Sequence, residues 1–415
     1  MALVATTAWE IRATGSANNG SGYNDRIPGT SVDYSRQNAS QLSINDLVGA
    51  VASVTVTSVI GGFTQAMVGN VMRIRGGVNF TVGFYEIVLW NSANSVNLDS
   101  VPVTGIGANG LAEVGGGQIN LNLIDTVVVP GNTVWIKSDT YAAHPITGFT
   151  AITTIYLPLG ILGYDVARGD NPTGDNRPLL QFTGANTLTF TAGGSATHTK
   201  IRNIRFEFSS GRLGIQANGS STLLENCKIY SGGSYCFLAN IGGRIICIDC
   251  EFYGMIATTI GIYSASSLIA VNSYFHDLEI GISSGSDLEE KIFFSIFHNC
   301  QTAGIHDNGN SHHKIINCTF SSIPRGFYQT VAASQSALFM NNTFSDCSIA
   351  GIVSVNAKIM NNNFFNCAAI VIGSNYGLED NNMFVNPQFV TPGSVFALQR
   401  TSGLIDKAFS MRLGV

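Results

Sequence analysis

From residue 200 onward, apolar and polar positions recur at a fixed spacing. Apolar anchors stand at Phe206, Ile229, Phe252, Phe275, Phe297, Phe320, Phe344, Phe364 and Phe384. Three residues before them stand Asn203, Asn226, Asp249, Asn272, Phe294, Asn317, Asn341, Asn361 and Asn381. Successive anchors are 20 to 24 residues apart. Most are followed by a Gly-apolar pair, as in Gly261-Ile262, Gly281-Ile282, Gly304-Ile305 and Gly326-Phe327, and most are preceded by an apolar residue five positions earlier, as in Leu224, Ile292, Ile315, Phe339 and Ile359. A period of this length marks stacked units that cannot bury an apolar face alone. Each unit of about 22 residues offers three short apolar strands, and no segment keeps the i, i+3, i+4 spacing of an amphipathic helix. Stacking these units predicts an all-β fold, a parallel β-helix in which each strand pairs with its copy one coil later.

The bends and the cysteines follow from the same period. A one- or two-residue bend needs a left-handed backbone, which Asn tolerates better than other non-glycine residues. Asn341/Asn342, Asn361/Asn362 and Asn381/Asn382 also fit a column of amides bonded along the stack; both readings are structural. Cys227, Cys250 and Cys318 recur two positions before an anchor, and Cys300, Cys347 and Cys367 three after. That recurrence predicts core packing. Disulfides between stacked pairs need an oxidising compartment, and Cys247 with Cys250 lacks the second ligand pair of a zinc site.

Ahead of the repeat the pattern changes twice. Residues 1–45 are rich in Gly, Ser and Asn without a sustained period, which predicts an extended N-terminal arm. Residues 46–125 carry short alternating runs such as Val51–Val59, Val71–Arg75 and Gly83–Trp90 between Gly turns, which predicts a small β-domain. The β-helix is expected over 126–408, with a short tail at 409–415.

The Asn-x-x-Phe and Gly-Ile coil resembles the right-handed parallel β-helix repeat of the pectate-lyase-like superfamily. Asn386-Pro387-Gln388-Phe389, Phe396-Ala397-Leu398 and Leu404-Ile405-Asp406 are similar to the tail closing such helices. Gly131–Tyr141 resembles a first coil, and the stretch from Gly163-Tyr164 to Pro178-Leu179 a second. The fold serves lyases, hydrolases, adhesins and virion spikes, so it does not choose a function. The opening Trp9-Glu10-Ile11-Arg12, with Asp33-Tyr34-Ser35-Arg36-Gln37 and Gly83–Ile87, resembles the front end of phage virion proteins that carry a β-helix.

Composition narrows the classes. Charged residues are only 11% and the net charge is −5, so no basic face points to nucleic acid. No apolar run is long enough for a membrane helix. The start lacks the features of a secretion signal, which with the resemblance implies assembly in a bacterial host cytoplasm and exposure on a virion. Stacking predicts one polar constellation of His276, Asp277, Glu279, His298, His306 and Asp307 for binding or cleaving a glycan, with His276, Asp277, His298 and Asp307 as the catalytic candidates. The same residues are also what an ordinary polar surface requires, and the calcium aspartates and paired Arg of pectate lyases and the Asp cluster of polygalacturonases have no counterpart. Asp165, Asp170 and Asp175 are the metal candidates, against a reading in which Arg168 and Arg177 pair with them. Tyr230, Tyr253, Tyr274 and Tyr328 suit sugar stacking or cross-coil packing equally. No cofactor is expected.

These features predict a structural virion protein, a capsid decoration, fibre or tail component, adsorbing to host surface polysaccharide. The resemblance implies a homotrimer and contact with other virion proteins through residues 1–125. The alternatives are a tailspike-type depolymerase and a bacterial surface adhesin.

Overall fold

The computed structural model describes residues 7–13, 22–24 and 42–398, the last span apart from short segments of which 124–127, 153–157, 193–197 and 331–336 are the longest. The predicted tail at 409–415, Leu404-Ile405-Asp406 and Asn381 lie outside the described residues. Strands dominate, wound into a parallel β-solenoid of about eight turns. The chain divides into two compact units: residues 1–181 with 191–204, and residues 182–190 with 205–415.

In the first unit, six antiparallel strands between Leu42 and Gly115 close a barrel. Its core includes Ile44, Leu47, Val56, Met72, Ile74, Ile87, Val96 and Leu98, set inward by strand alternation except where the first strand slips register between Ile44 and Leu47. This barrel occupies the place of the small β-domain expected at 46–125.

The expected arm at 1–45 needs correction where it is described. Thr7–Ile11 runs parallel to Thr133–Lys137, with Trp9 opposite Val134 and Ile11 opposite Ile136. Trp9 and Ile11 are fully buried, and Trp9 Nε1 donates to Asn132 Oδ1 at 2.9 Å. Glu10 is buried too, accepting from Arg12 Nε at 2.9 Å, from Tyr164 Oη and from Arg168 Nη2. The strand is short and its Trp9–Asn132 bond spans 123 residues with the barrel in between, so a composition average conceals it.

In the second unit the coils carry three strands, as the repeat predicts, in Ser221–Glu225, Lys228–Ser231 and Tyr235–Ala239, then Arg244–Ile248, Glu251–Gly254 and Ile260–Ser264, while in the next two coils the second and third run on as one strand, Tyr274–Ser284 and Ile296–Asp307. Copies pair in parallel, and the anchors fall into exact register. Phe252, Phe275, Phe297, Phe320, Phe344 and Phe364 stack with ring centroids 4.8–4.9 Å apart and planes 5° apart. Burial of each ring is worth about 2–3 kcal/mol. Phe384, expected as a further anchor, is 57% exposed and lies 6.5 Å from Phe364, so the column ends before it.

The ladder explains the Gly-apolar signature. A Cβ on Gly304 would lie 2.8 Å from both the Gly326 carbonyl oxygen and the Phe320 ring.

Within the bend phrase, adjacent residues divide the work. Asn226, Asp249, Asn272, Asn317, Asn341 and Asn361 all hold the left-handed conformation, φ 48–59°. The following residue points inward and joins the coils. Asn342 N and Nδ2 donate to Asn362 Oδ1 at 2.8 and 3.0 Å, and Asn362 N donates to Asn382 Oδ1 at 2.9 Å. The amide column is therefore 342/362/382, while 341 and 361 make the bend. All eight cysteines are free thiols, seven of them buried.

Candidate functional site

On the middle strand of each coil, the residues before and after the anchor point outward. Strand alternation and exact register therefore build a face from Lys228/Tyr230, Glu251/Tyr253, Tyr274/His276 and Ile296/His298. Tyr230 and Tyr253 have ring centroids 5.2 Å apart. His276 lies flat against Tyr253 at 5.3 Å and 8°, and 4.2 Å from Tyr274. Lys228 Nζ sits 4.7 Å from the Tyr253 ring centre.

One imidazole joins two carboxylates on this face. His276 Nδ1 lies 2.8 Å from Asp277 Oδ2, and Nε2 lies 3.1 Å from Glu251 Oε1. Lys228 Nζ donates to the same Glu251 oxygen at 2.9 Å, and Asn299 Nδ2 donates to Asp277 Oδ1 at 2.5 Å. Burial disfavours the His276 cation, but the bonds and charges of Glu251 and Asp277 outweigh it and raise its pKa. Burial works against both carboxylates as well. His276 and Lys228 nonetheless hold Glu251 below its usual range, and His276 and Asn299 hold Asp277 below its own. The face thus carries two carboxylates bridged by one imidazole whose proton they favour, beside half-buried aromatic rings. Burial lowers the His298 pKa in the next coil. Past His298 an open recess is lined by Asn299, Gln301, Ser322, Pro324 and Asp346.

Of the predicted constellation, His276, Asp277 and His298 come together. Glu279 lies where the pairing slips between Leu278 and Ile280, so Gln301 and Thr302 both oppose it. Its side chain makes no ion pair among the described residues. His306 is on a different strand column, in register with Ser283 and Tyr328 as the repeat predicts, and stacks on Tyr328 at 4.8 Å.

Asp307 is a correction. Neighbours on a strand face opposite sides, so with His306 outward Asp307 must point inward. It is fully buried, accepting from Gln329 Nε2 at 3.0 Å and Gly309 N at 3.0 Å. His313 Nε2 lies 3.2 Å from Asp307 Oδ2, and His313 Nδ1 lies 3.3 Å from Glu290 Oε2. These are ion-pair distances without hydrogen-bond alignment. Glu290 and His313 share the inward parity of Ile292 and Ile315, two residues on, which is the signal that reveals them. Burial opposes the His313 proton, but Asp307 and Glu290 raise its pKa to about 9.

The metal candidates do not converge. Asp170 accepts the backbone N–H groups of Asp165 and Val166, Asp175 sits in a short exposed turn, and Arg168 pairs with Glu10. Among the described residues no three His, Cys, Asp or Glu side chains gather as metal ligands. Glu251 and Lys228 were not among the sequence candidates, although their outward register beside Tyr253 and Tyr230 was available from the period.

Comparison with known proteins agrees with this architecture. Residues 279–403 match the family model described as right handed beta helix region. No curated protein matches. Similar solved structures include the pectate lyase Pel9A, 15% identical over 70% of this chain and 86% of that one, with a TM-score of 0.40. They also include the catalytic domain of a GH87 alpha-1,3-glucanase, 10% identical over 91% and 100% at 0.32, and the tailspike protein gp49 from Pseudomonas phage LKA1, 12% identical over 84% and 64% at 0.23.

Proposed function

We propose that this chain is a glycan-binding structural component of a phage particle, a decoration, fibre or tail part whose β-helix adsorbs to host surface polysaccharide. The observation that carries the binding role is the aromatic ladder Tyr230–Tyr253–His276–Tyr274, bordered by ionised Glu251 and Asp277. Aromatic planes suit the apolar faces of sugar rings, and fixed carboxylates accept from their hydroxyls. The same geometry disfavours hydrolysis, which requires one carboxyl group kept protonated as general acid. Here both acids are held ionised by His276 and its neighbours. Particle location, attachment through residues 1–125 and a trimeric state rest on the resemblance of the front end and of the coil.

Titration of the protein with purified host surface polysaccharide, followed by tyrosine fluorescence, should show saturable binding. Tyr253→Ala should weaken it by about tenfold, the scale of one lost aromatic contact. No reducing ends should be released on prolonged incubation. Steady release of oligosaccharides would make the chain a depolymerase and overturn this reading.

A further inference from the structure

We infer that the tyrosine face selects uncharged sugars and rejects acidic ones, because every charge bordering the aromatic ladder is already matched within the face. This rests on the glycan-binding reading and names the class of glycan. Lys228 is bonded to Glu251, and His276 lies between Glu251 and Asp277. Lys228 and the His276 ring, the two basic groups beside the ladder, are therefore each bonded to a carboxylate of the same face. His298, the next group in the column, adds no cation, since burial favours its neutral ring. One coil before Lys228, Arg205 and Glu207 again place one charge of each sign on the face.

The carboxylates are nevertheless usable by a neutral ligand. The Asp277 side chain is half exposed and that of Glu251 about a quarter exposed, so their remaining lone pairs face solvent. An ionised carboxylate accepts up to four hydrogen bonds and donates none. Vicinal sugar hydroxyls satisfy such acceptors, whereas a sugar carboxylate meets two fixed anions. The tyrosine rings supply the apolar half of the contact without charge.

The variant Asp277→Asn isolates the charge. Asp277 occupies a left-handed bend at φ 53°, and the residue above it in the stack, Asn299, holds the same conformation at 51°. Asparagine therefore fits the backbone while removing one negative charge from the face.

The test compares immobilised neutral oligosaccharides with hexuronate oligosaccharides of the same length, and with the hexuronate set after carboxyl reduction. The wild-type protein should bind the neutral and the reduced glycans at least about tenfold more tightly than the acidic ones. That binding should change less than about twofold between low and high salt, as expected where no net charge is screened. Asp277→Asn should weaken neutral binding and narrow the discrimination against hexuronates. Tighter binding of the acidic glycans than of their reduced forms would overturn the inference and leave the glycan-binding reading standing. Equal discrimination by wild type and Asp277→Asn would also overturn it. Failure of every glycan, neutral or acidic, to bind would remove the glycan-binding reading itself.

Discussion

Phe294 stands at a bend where the neighbouring coils place Asn272 and Asn317, and it adopts the same left-handed conformation, φ 53°. Its side chain is 58% exposed, so little burial offsets the strain of that backbone. A non-glycine residue there costs about 1–2 kcal/mol, less for Asn, whose short polar side chain bonds locally. Phe294→Asn is therefore expected to stabilise the protein by about 1 kcal/mol, seen as a higher midpoint in denaturant unfolding. A lower midpoint would mean that the ring contributes more than its exposure suggests. The residue scale also shows where sequence reading stops. The period located His276, Asp277 and His298 because all three follow an anchor. It does not place Asp307, because adjacency in the chain is not adjacency on a face where strand neighbours alternate.

At the scale of the coil, one register position is filled with three chemistries. Cys250, Ser273, Ser295, Cys318, Asn342 and Asn362 all follow the left-handed bend and point inward. Ser295 Oγ accepts from Ser273 N at 3.2 Å, and Asn342 Oδ1 accepts from Cys318 N at 2.8 Å, so each of these side chains caps the backbone of the preceding coil. Asn362 does more: its amide also donates to the carbonyls of Phe339 and Met360, both at 3.0 Å, and accepts from Asn342 N and Nδ2. Its replacement by Ala removes the acceptor of Asn342 N and the amide donated to Phe339 O, at about 1–3 kcal/mol for each group left unsatisfied. Asn362→Ala should thus lower stability by about 3 kcal/mol, and Asn362→Ser should recover part of the loss, as Ser273 and Ser295 already serve this position. Equal melting temperatures for the wild type and Asn362→Ala would show that the column carries no stability. The existence of an asparagine column was legible from the repeat. Which of the paired asparagines builds it was not, since spacing alone does not distinguish the bend from the inward residue after it.

For the molecule as a whole, the repeat announced the solenoid from afar, whereas the strand at Thr7–Ile11 was hidden by its distance from Thr133–Lys137. A long-range pairing of five residues leaves no period behind. The buried Glu290–His313–Asp307 group is equally silent in composition, yet it ties the global stability to pH. In the unfolded chain His313 titrates near its ordinary value of 6.5, and in the fold near 9. A raised histidine pKa contributes stability that is fully present below about pH 6.5 and is lost as pH rises through about 9. The scale is about 3 kcal/mol, taking 1.4 kcal/mol per unit as an upper figure for so buried a group. His276, also raised by its two carboxylates, acts in the same direction from a partly exposed position. Comparison with His313→Gln separates the two, because that variant keeps His276. Unfolding free energies measured from pH 6 to pH 10 should fall for the wild type. The fall should be shallower for His313→Gln, which is less stable at pH 6 and approaches the wild type near pH 10. Parallel curves for the two proteins would mean that His313 is neutral in the core throughout, and that Glu290 and Asp307 are held by other partners.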